Sequence, residues 1–311
     1  MELINNKDFM ACKNCVEEPV IELSNSDKSL CKNCFIRYFE KKVLKTIKKY
    51  GLIEDNERIG VAVSGGKDSL SVLSILTKLQ KKYKNIWLTA IAIDEGIAGY
   101  RILDDLKDYC KMENITLEIV SFKDEFGISL DEALKKVDIK ACSICGVLRR
   151  SLLNRKAREL KLDKLATGHN LDDEAQSVMM NYLKGNNEKS IRLGPKTSLV
   201  VDSRFIPRIK PLYFMSEKEV ATYAFLKKFP VKFNECPNTA GAYREVVRNM
   251  LNDIEMKYPG TKYGIISSFL ELLPSLLKTY SGKKANSCTK CDEPSSKDVC
   301  NTCKMLDLIS I

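Results

Sequence analysis

Ile59-Gly60-Val61-Ala62-Val63-Ser64-Gly65-Gly66-Lys67-Asp68-Ser69 holds a short apolar run, a glycine turn and a helix start in one stretch. The β-branched Ile59, Val61 and Val63 predict a buried parallel strand. Ser64-Gly65-Gly66 ends it where the backbone can turn sharply and approach a ligand closely. Asp68 and Ser69 stand at a helix start, and Leu70, Val72, Leu73, Ile75, Leu76 and Leu79 give that helix an apolar face. A glycine loop feeding a helix N-terminus presents unpaired N–H groups and the positive end of the helix dipole, which together cradle phosphate. The spacing is neither that of the Walker loop nor that of the dinucleotide G-x-G-x-x-G turn.

Outward from this stretch, strands and helices alternate. Strands are predicted at 59–63, 86–93, 115–120 and 164–168, with helices near 68–83, 99–113, 146–160 and 171–184. Such alternation gives an α/β fold with a parallel sheet and its ligand at the carboxyl ends of the strands. Residues 185–215 read as loop-rich and basic, carrying Arg192, Lys196, Arg204, Arg208 and Lys210 among prolines. Helices are expected over 218–228, 243–258 and 264–278. Ahead of the first strand, Phe35, Tyr38, Phe39, Val43, Leu44 and Ile47 line one side of a basic helix, with Lys41, Lys42, Lys45, Lys48 and Lys49 around the other. That lysine run reads first as a solvated face and second as an RNA contact.

The chain has 311 residues, 51 Lys+Arg against 41 Asp+Glu, a net charge of +10, and a single histidine. A basic surface favours a polyanionic partner such as nucleic acid. The polar start with an early Cys-x-x-Cys predicts no signal peptide, no apolar run is long enough to span a bilayer, and a cytoplasmic protein without membrane contact is expected. Twelve cysteines there point to metal or redox chemistry rather than disulfides. Cys12/Cys15 with Cys31/Cys34, and Cys288/Cys291 with Cys300/Cys303, have the spacing of two four-thiolate zinc knuckles, one at each end. Pro19, Asn25, Ser26 and Asp27 supply turns in the first. Cys110, beside Leu103, Leu106 and Tyr109, reads as a buried core thiol.

Cys142-Ser143-Ile144-Cys145-Gly146 opens a helix, whose N-terminal field favours thiolate. The third thiol available to them is Cys236, followed by Pro237, a neighbour also found beside cluster ligands. Three thiolates suit a cubane cluster with one open iron better than a structural zinc, which wants four. A redox pair with an unrelated Cys236 is the alternative reading. Gly168-His169-Asn170-Leu171-Asp172-Asp173 places the only histidine at a strand end and acids at a helix start. Asp172 and Asp173 could hold magnesium, orient a nucleotide, or cap the helix.

Ser64–Ser69 resembles the PP-loop of N-type ATP pyrophosphatases. With Cys142-x-x-Cys145-Gly146-x-x-Arg149-Arg150, Gly168-His169-Asn170-x-Asp172-Asp173, Cys236 and two flanking knuckles, nearly the whole chain resembles the tRNA 2-thiouridine synthetases of the TtuA/NcsA group, relatives of the TtcA cytidine thiolases. The resemblance implies a PP-loop (adenine nucleotide alpha hydrolase-like) domain over 58–215 with a helical part over 216–281. A zinc finger over 1–35, a basic helical linker over 36–57 and a second zinc finger over 282–311 complete the division. It also implies ATP with magnesium on Ser64, Gly65, Gly66, Lys67, Asp68 and Ser69, with Ala62, Ile93, Gly168 and Asp173 completing the site.

Lys67, Asp68, Arg149 and Asp173 become the catalytic candidates. A 4Fe-4S cluster on Cys142, Cys145 and Cys236 would deliver sulfur to the adenylated C2 oxygen of a tRNA uridine, the wobble position favoured over the T-loop. The sulfur donor is free sulfide or a thiocarboxylated ubiquitin-like protein, and the relatives suggest a homodimer. A persulfide on the same cysteines without a cluster, and an RNA-binding protein that only senses ATP, are the rival readings. Arg149 stands where the TtuA subgroup has lysine, which keeps an electrostatic role and argues against general acid catalysis.

Overall fold

The computed structural model describes residues 11–24, 26, 28–82, 85–100, 103–197, 204–231, 236–238, 243–280 and 286–309. The turn residues Asn25 and Asp27, and the residues before Cys236, lie outside them. Two short strands, β1 (Ile21–Glu22) and β2 (Ser29–Leu30), pair antiparallel and lead into α1 (Lys32–Lys49). The chain then alternates through β3 (Arg58–Ala62), α2 (Lys67–Lys82), β4 (Trp87–Asp94), α3 (Asp104–Met112) and β5 (Thr116–Ser121). Two short helices, α4 (Phe122–Phe126) and α5 (Leu130–Leu134), precede the long α6 (Ala141–Glu159). Next come β6 (Lys164–Ala166), α7 (Leu171–Leu183), α8 (Asn187–Ser190), β7 (Lys196–Thr197) and β8 (Arg208–Ile209). Helices α9 (Glu217–Leu226), α10 (Tyr243–Lys257) and α11 (Thr261–Tyr280) follow, and β9 (Asn286–Ser287), β10 (Pro294–Ser295) and α12 (Asn301–Ile309) close the chain.

The central sheet runs β5-β4-β3-β6-β8-β7, parallel except for the edge strand β7. The inner strands β3, β4 and β6 are largely buried on both faces, as their apolar sequence requires, whereas the edge strands β5 and β7 are partly open. Leu70, Leu73, Leu76, Phe39 and Tyr223 from α2, α1 and α9 pack one face, in a core that also takes in Leu30, Cys31 and Cys34. Leu148, Leu152 and Leu153 of α6, with Phe122, Leu130 and Ile309, pack the other. Helices α7, α10 and α11 share a third core around Tyr213, Val247, Leu251 and Phe269. From β3 the chain moves outward through β4 to β5 and later returns to β3's other side as β6. A crevice must therefore open at the carboxyl ends of β3 and β6, the usual ligand position in such sheets.

Several expectations need correcting. Within the loop-rich residues 185–215 lie α8, β7 and β8, so among the described residues the sheet has six strands instead of the four read from sequence. Helix α6 starts at Ala141, ahead of the predicted 146, which puts Cys142 and Cys145 in its first turns. Helix α3 starts at Asp104, later than 99. On α1, Leu44 faces solvent while Thr46 is buried, because Thr46 satisfies its hydroxyl on the Lys42 carbonyl at 3.1 Å. Cys110 is buried as expected, and burial pushes its thiol up to about 11. Among the described residues no helix is long and apolar enough to cross a membrane.

Candidate active site

The turn after β3 is built as the sequence requires. Gly65 takes φ +76°, a left-handed conformation that favours glycine. Ser69, in the first turn of α2, accepts from the Ser64 N–H at 3.1 Å and donates to the Gly66 carbonyl at 3.0 Å, bracing the loop from within. The loop after β6 presses against it. A Cβ on Gly168 would meet the Ser69 nitrogen at 2.9 Å and the Asp68 carbonyl carbon at 3.0 Å, so any side chain here would force the crossing apart. Asn170 caps α7, exchanges backbone and side-chain bonds with Asp173, and donates from Nδ2 to Asp68 at 2.9 Å. The two loops thus share one carboxylate.

Lys67 lies between Asp68 at 3.0 Å and Glu217 at 3.2 Å. Burial alone would lower its pKa, but these two carboxylates raise it, so Lys67 is firmly cationic. Asp172 does not face the nucleotide side. It is buried, ion-paired with Lys262, and accepts the Glu217 N–H at 2.8 Å, capping α9. Asp173 is partly buried, and desolvation together with the Asp68 charge raises its pKa to about 6. The folded value exceeds the unfolded one, so the ionised carboxylate costs stability above pH 6, and that cost fades as pH falls through 6 towards 4. Asp173→Asn, which keeps an acceptor for the Asn170 N–H, should stabilise the fold by about 1–2 kcal/mol at pH 8 and by only about a third of that at pH 4.5. Denaturant melts at the two pH values would check this.

A cationic rim surrounds these acids. His169 accepts or donates at Nδ1 with Thr167 Oγ1 at 2.9 Å. Desolvation, then Lys210, Arg208, Arg244 and Arg149, lower its pKa to about 3, so the only histidine is neutral. Burial beside Arg150 and Arg149 likewise brings Arg208 down to about 10. Like charges crowded this way favour a bound anion. Lys210 pairs with the buried Glu174 at 2.7 Å, and Arg244 holds Gln176 and Ser177 of α7. At the end of β4, buried Glu95 meets Arg149 at 3.4 Å. Sequence reading missed Glu217, Glu95, Lys262 and Arg244. Only the Ser216/Glu219 capping box signals where α9 begins.

Ala62 and Ile93 sit near the carboxyl ends of β3 and β4. Ile93 is buried in the core with Val120 and Leu130, leaving its backbone as what it can offer a ligand. The Arg149–Glu95 contact places the first turns of α6 at this same sheet edge. There Cys142 is exposed and Cys145 partly so, and the Cys142 thiol reaches the Asn238 carbonyl at 3.9 Å. That contact brings the Cys236 segment to the helix bearing the other two thiols.

At each end of the described chain four thiols, Cys12, Cys15, Cys31 and Cys34, and Cys288, Cys291, Cys300 and Cys303, gather within 4.8 Å of one another. The Cys300 N–H, 3.2 Å from the Cys288 sulfur, leads several donors that lower that thiol to about 6. In the first set, burial opposes ionisation, but backbone bonds from Cys31 and Asn14 bring Cys12 to about 6. Thiols so disposed suit a tetrahedral ion.

Residues 36–254 match the family described as a PP-loop domain. The tRNA 2-thiolation protein NcsA of Haloferax volcanii is 35% identical over 318 residues, covering 96% of this chain and 99% of that protein. The tRNA-5-methyluridine(54) 2-sulfurtransferase of Pyrococcus horikoshii is 36% identical, over 96% and 94% of the two chains. The solved U34-tRNA thiolase NcsA from Methanococcus maripaludis, with its 4Fe-4S cluster, superposes with a TM-score of 0.82 at 35% identity over 95% of both chains. The chain belongs to the tRNA 2-thiolation (2-sulfurtransferase) family of PP-loop enzymes.

Proposed function

We propose that this protein is an ATP-dependent tRNA uridine 2-sulfurtransferase acting on the wobble uridine, in the cytoplasm and as a homodimer. The carrying observation is that the phosphate loop leaves the carboxyl end of β3 beside the end of its parallel neighbour β4, where Glu95 meets Arg149 of the thiol-bearing helix α6. ATP with its magnesium sits on Ser64–Ser69, with Ala62, Ile93, Gly168 and Asp173 around it. Lys67 and Arg149 take up phosphate charge as the uridine C2 oxygen attacks the α-phosphorus and pyrophosphate departs. A sulfur nucleophile then adds at C2, and the oxygen leaves with AMP. The support for the wobble position is the U34 thiolase, whose fold matches over 95% of both chains. The cationic rim and the basic face of α1 would hold tRNA by its phosphates, and the target base must leave its stack to reach the crevice.

Cys142, Cys145 and Cys236 fit a 4Fe-4S cluster, since they are three donors at one edge rather than the four gathered thiols a structural zinc takes. Such a cluster supplies an iron position at which sulfur can be held deprotonated. The two four-cysteine sets fit zinc and tie the chain ends to the core. In the domain division that goes with this reading, the fingers span 1–35 and 282–311, the basic helical linker 36–57, the catalytic domain 58–215 and its helical part 216–281. The sulfur donor is free sulfide or a thiocarboxylated ubiquitin-like protein.

Anaerobic protein incubated with ATP, sulfide and tRNA, followed by mass spectrometry of nucleosides from wobble- and T-loop-substituted tRNAs, tests the reading. Wobble 2-thiouridine, AMP and pyrophosphate are expected. Thiolation surviving in a wobble-substituted tRNA would shift the target to the T-loop, and an active colourless, iron-free protein would favour the persulfide route. ATP binding without thiouridine would leave only an RNA-binding sensor.

A further inference from the structure

Three consecutive side chains at the start of α9 reach three different parts of the molecule. Glu217 holds Lys67 of the phosphate loop at 3.2 Å. Lys218 donates to the Glu22 carbonyl of the first four-cysteine module at 2.9 Å. Glu219, buried, accepts from Tyr38 at 2.9 Å and from Lys42 at 3.1 Å, both on α1. One turn further on, Tyr223 stacks on Phe39 with ring centroids 4.1 Å apart and donates to Glu40 at 2.9 Å. α9 is therefore fastened to α1 and the N-terminal module along its length, while its first residue grips the lysine that must serve the phosphates.

On the reading of Ser64–Ser69 as an ATP site, a triphosphate there competes with Glu217 for Lys67. Its second carboxylate, Asp68, is pinned by Asn170 across the loop crossing, whereas the Glu217 carboxylate is half-exposed and has no further hydrogen bond among the described residues. Glu217 is the partner that can let go. The Lys67–Glu217 pair is of the partly exposed kind that contributes little and breaks readily. The outer face of α1 meanwhile presents Lys32, Arg37, Lys41, Lys45, Lys48 and Lys49 to solvent, suited to a phosphate backbone.

We propose that Glu217 is a positioning residue that parks Lys67 away from the ATP phosphates, and that tRNA docking on α1 releases it through the α1–α9 contacts. The device couples ATP binding to the presence of the substrate that will consume the adenylate. It rests on the reading of Ser64–Ser69 as an ATP site and of tRNA as the partner.

The test is the affinity for a non-hydrolysable ATP analogue, measured by calorimetry with and without tRNA, in wild type, Glu217→Gln and Lys218→Met. Wild type should bind the analogue roughly three- to tenfold tighter with tRNA present. Glu217→Gln keeps the side chain's size and loses its charge. It should bind that much tighter without tRNA and gain nothing further when tRNA is added. Lys218→Met, which unhooks α9 from the N-terminal module, should show a reduced response to tRNA. A merely structural Glu217 would weaken binding or leave it alone on removal. An unchanged or weaker affinity in Glu217→Gln, or a full tRNA response in that variant, overturns the proposal, as does a wild type indifferent to tRNA. Failure of wild type to bind the analogue at all would instead overturn the ATP-site reading beneath it.

Discussion

Gly168→Ala should lower pyrophosphate release by about a hundredfold while the protein stays folded. The added methyl would lie 2.9 Å from the Ser69 nitrogen and 3.0 Å from both the Asp68 carbonyl carbon and its Cβ. The first two contacts are with backbone, so no side chain can swing aside to relieve them. Either the loop after β6 or the first turn of α2 must move by several tenths of an ångström. Overpacking of this kind costs about 1–3 kcal/mol, which a domain of this size survives. The chemistry is less tolerant. The Ser64–Ser69 loop is braced by Ser69 hydroxyl bonds of 3.0–3.1 Å and tied to the β6 loop by the Asn170–Asp68 bond of 2.9 Å. A shift at the crossing loosens both ties, and displacement of positioning groups by about 1 Å can cost on the order of a hundredfold in rate. Circular dichroism and a melt establish folding, and a pyrophosphate assay with tRNA reads the loss. Gly66→Ala is the contrasting case. Its Cβ would come no nearer than 3.4 Å, to the Ser64 hydroxyl, and its loss should be much smaller.

The same crossing shows what the sequence can and cannot say. Strands β3 and β4 announce themselves through apolar runs with β-branched residues, and the glycine turn marks the phosphate loop on its own. Strands β7 and β8 are two residues each and basic, Lys196–Thr197 and Arg208–Ile209, so no local pattern separates them from loop. They exist because β6 offers an open edge, with Arg208 and Ile209 in register against Leu165 and Ala166. Asp172 and Asp173 are neighbours in sequence with opposite fates. The helical turn sends Asp172 inward to Lys262 and the start of α9, and leaves Asp173 facing Asp68. Which of two adjacent acids meets the ligand side depends on partners 45 and 90 residues away, which spacing cannot reveal. The metal sets divide likewise. Four gathered thiols at each end follow from spacing alone, whereas the Cys236 segment meets α6 through a contact between Cys142 and Asn238, 96 residues apart, that no spacing announces.

Cys142→Ser should abolish thiouridine formation and leave pyrophosphate release largely intact. The phosphate loop, Lys67, Asp68, Asn170 and Asp173 are tied to one another by their own backbone and side-chain bonds, so the ATP side has no need of the Cys142 sulfur. Cys142 is exposed and among the described residues its thiol makes only a long 3.9 Å contact to Asn238, so its replacement should cost the fold no more than about 0.5 kcal/mol. A serine hydroxyl does not ionise near neutrality and so cannot supply the anionic ligand that a thiolate provides at a helix N-terminus. With two thiolates left, the iron content and visible colour of the anaerobic protein should fall away, and sulfur transfer with them. Cys236→Ser should behave the same way, although Cys236 lies outside α6. Cys110→Ser is the control that separates ligand loss from general damage. It places a hydroxyl in a fully apolar setting beside Leu106 and Tyr109, so it should lower the melting temperature yet keep iron and thiolation per folded molecule. If Cys142→Ser still thiolated tRNA, sulfur would have to reach C2 without this thiol. If pyrophosphate release and thiolation fell together, the separation of an activating half from a sulfur-delivering half at this sheet edge would be lost.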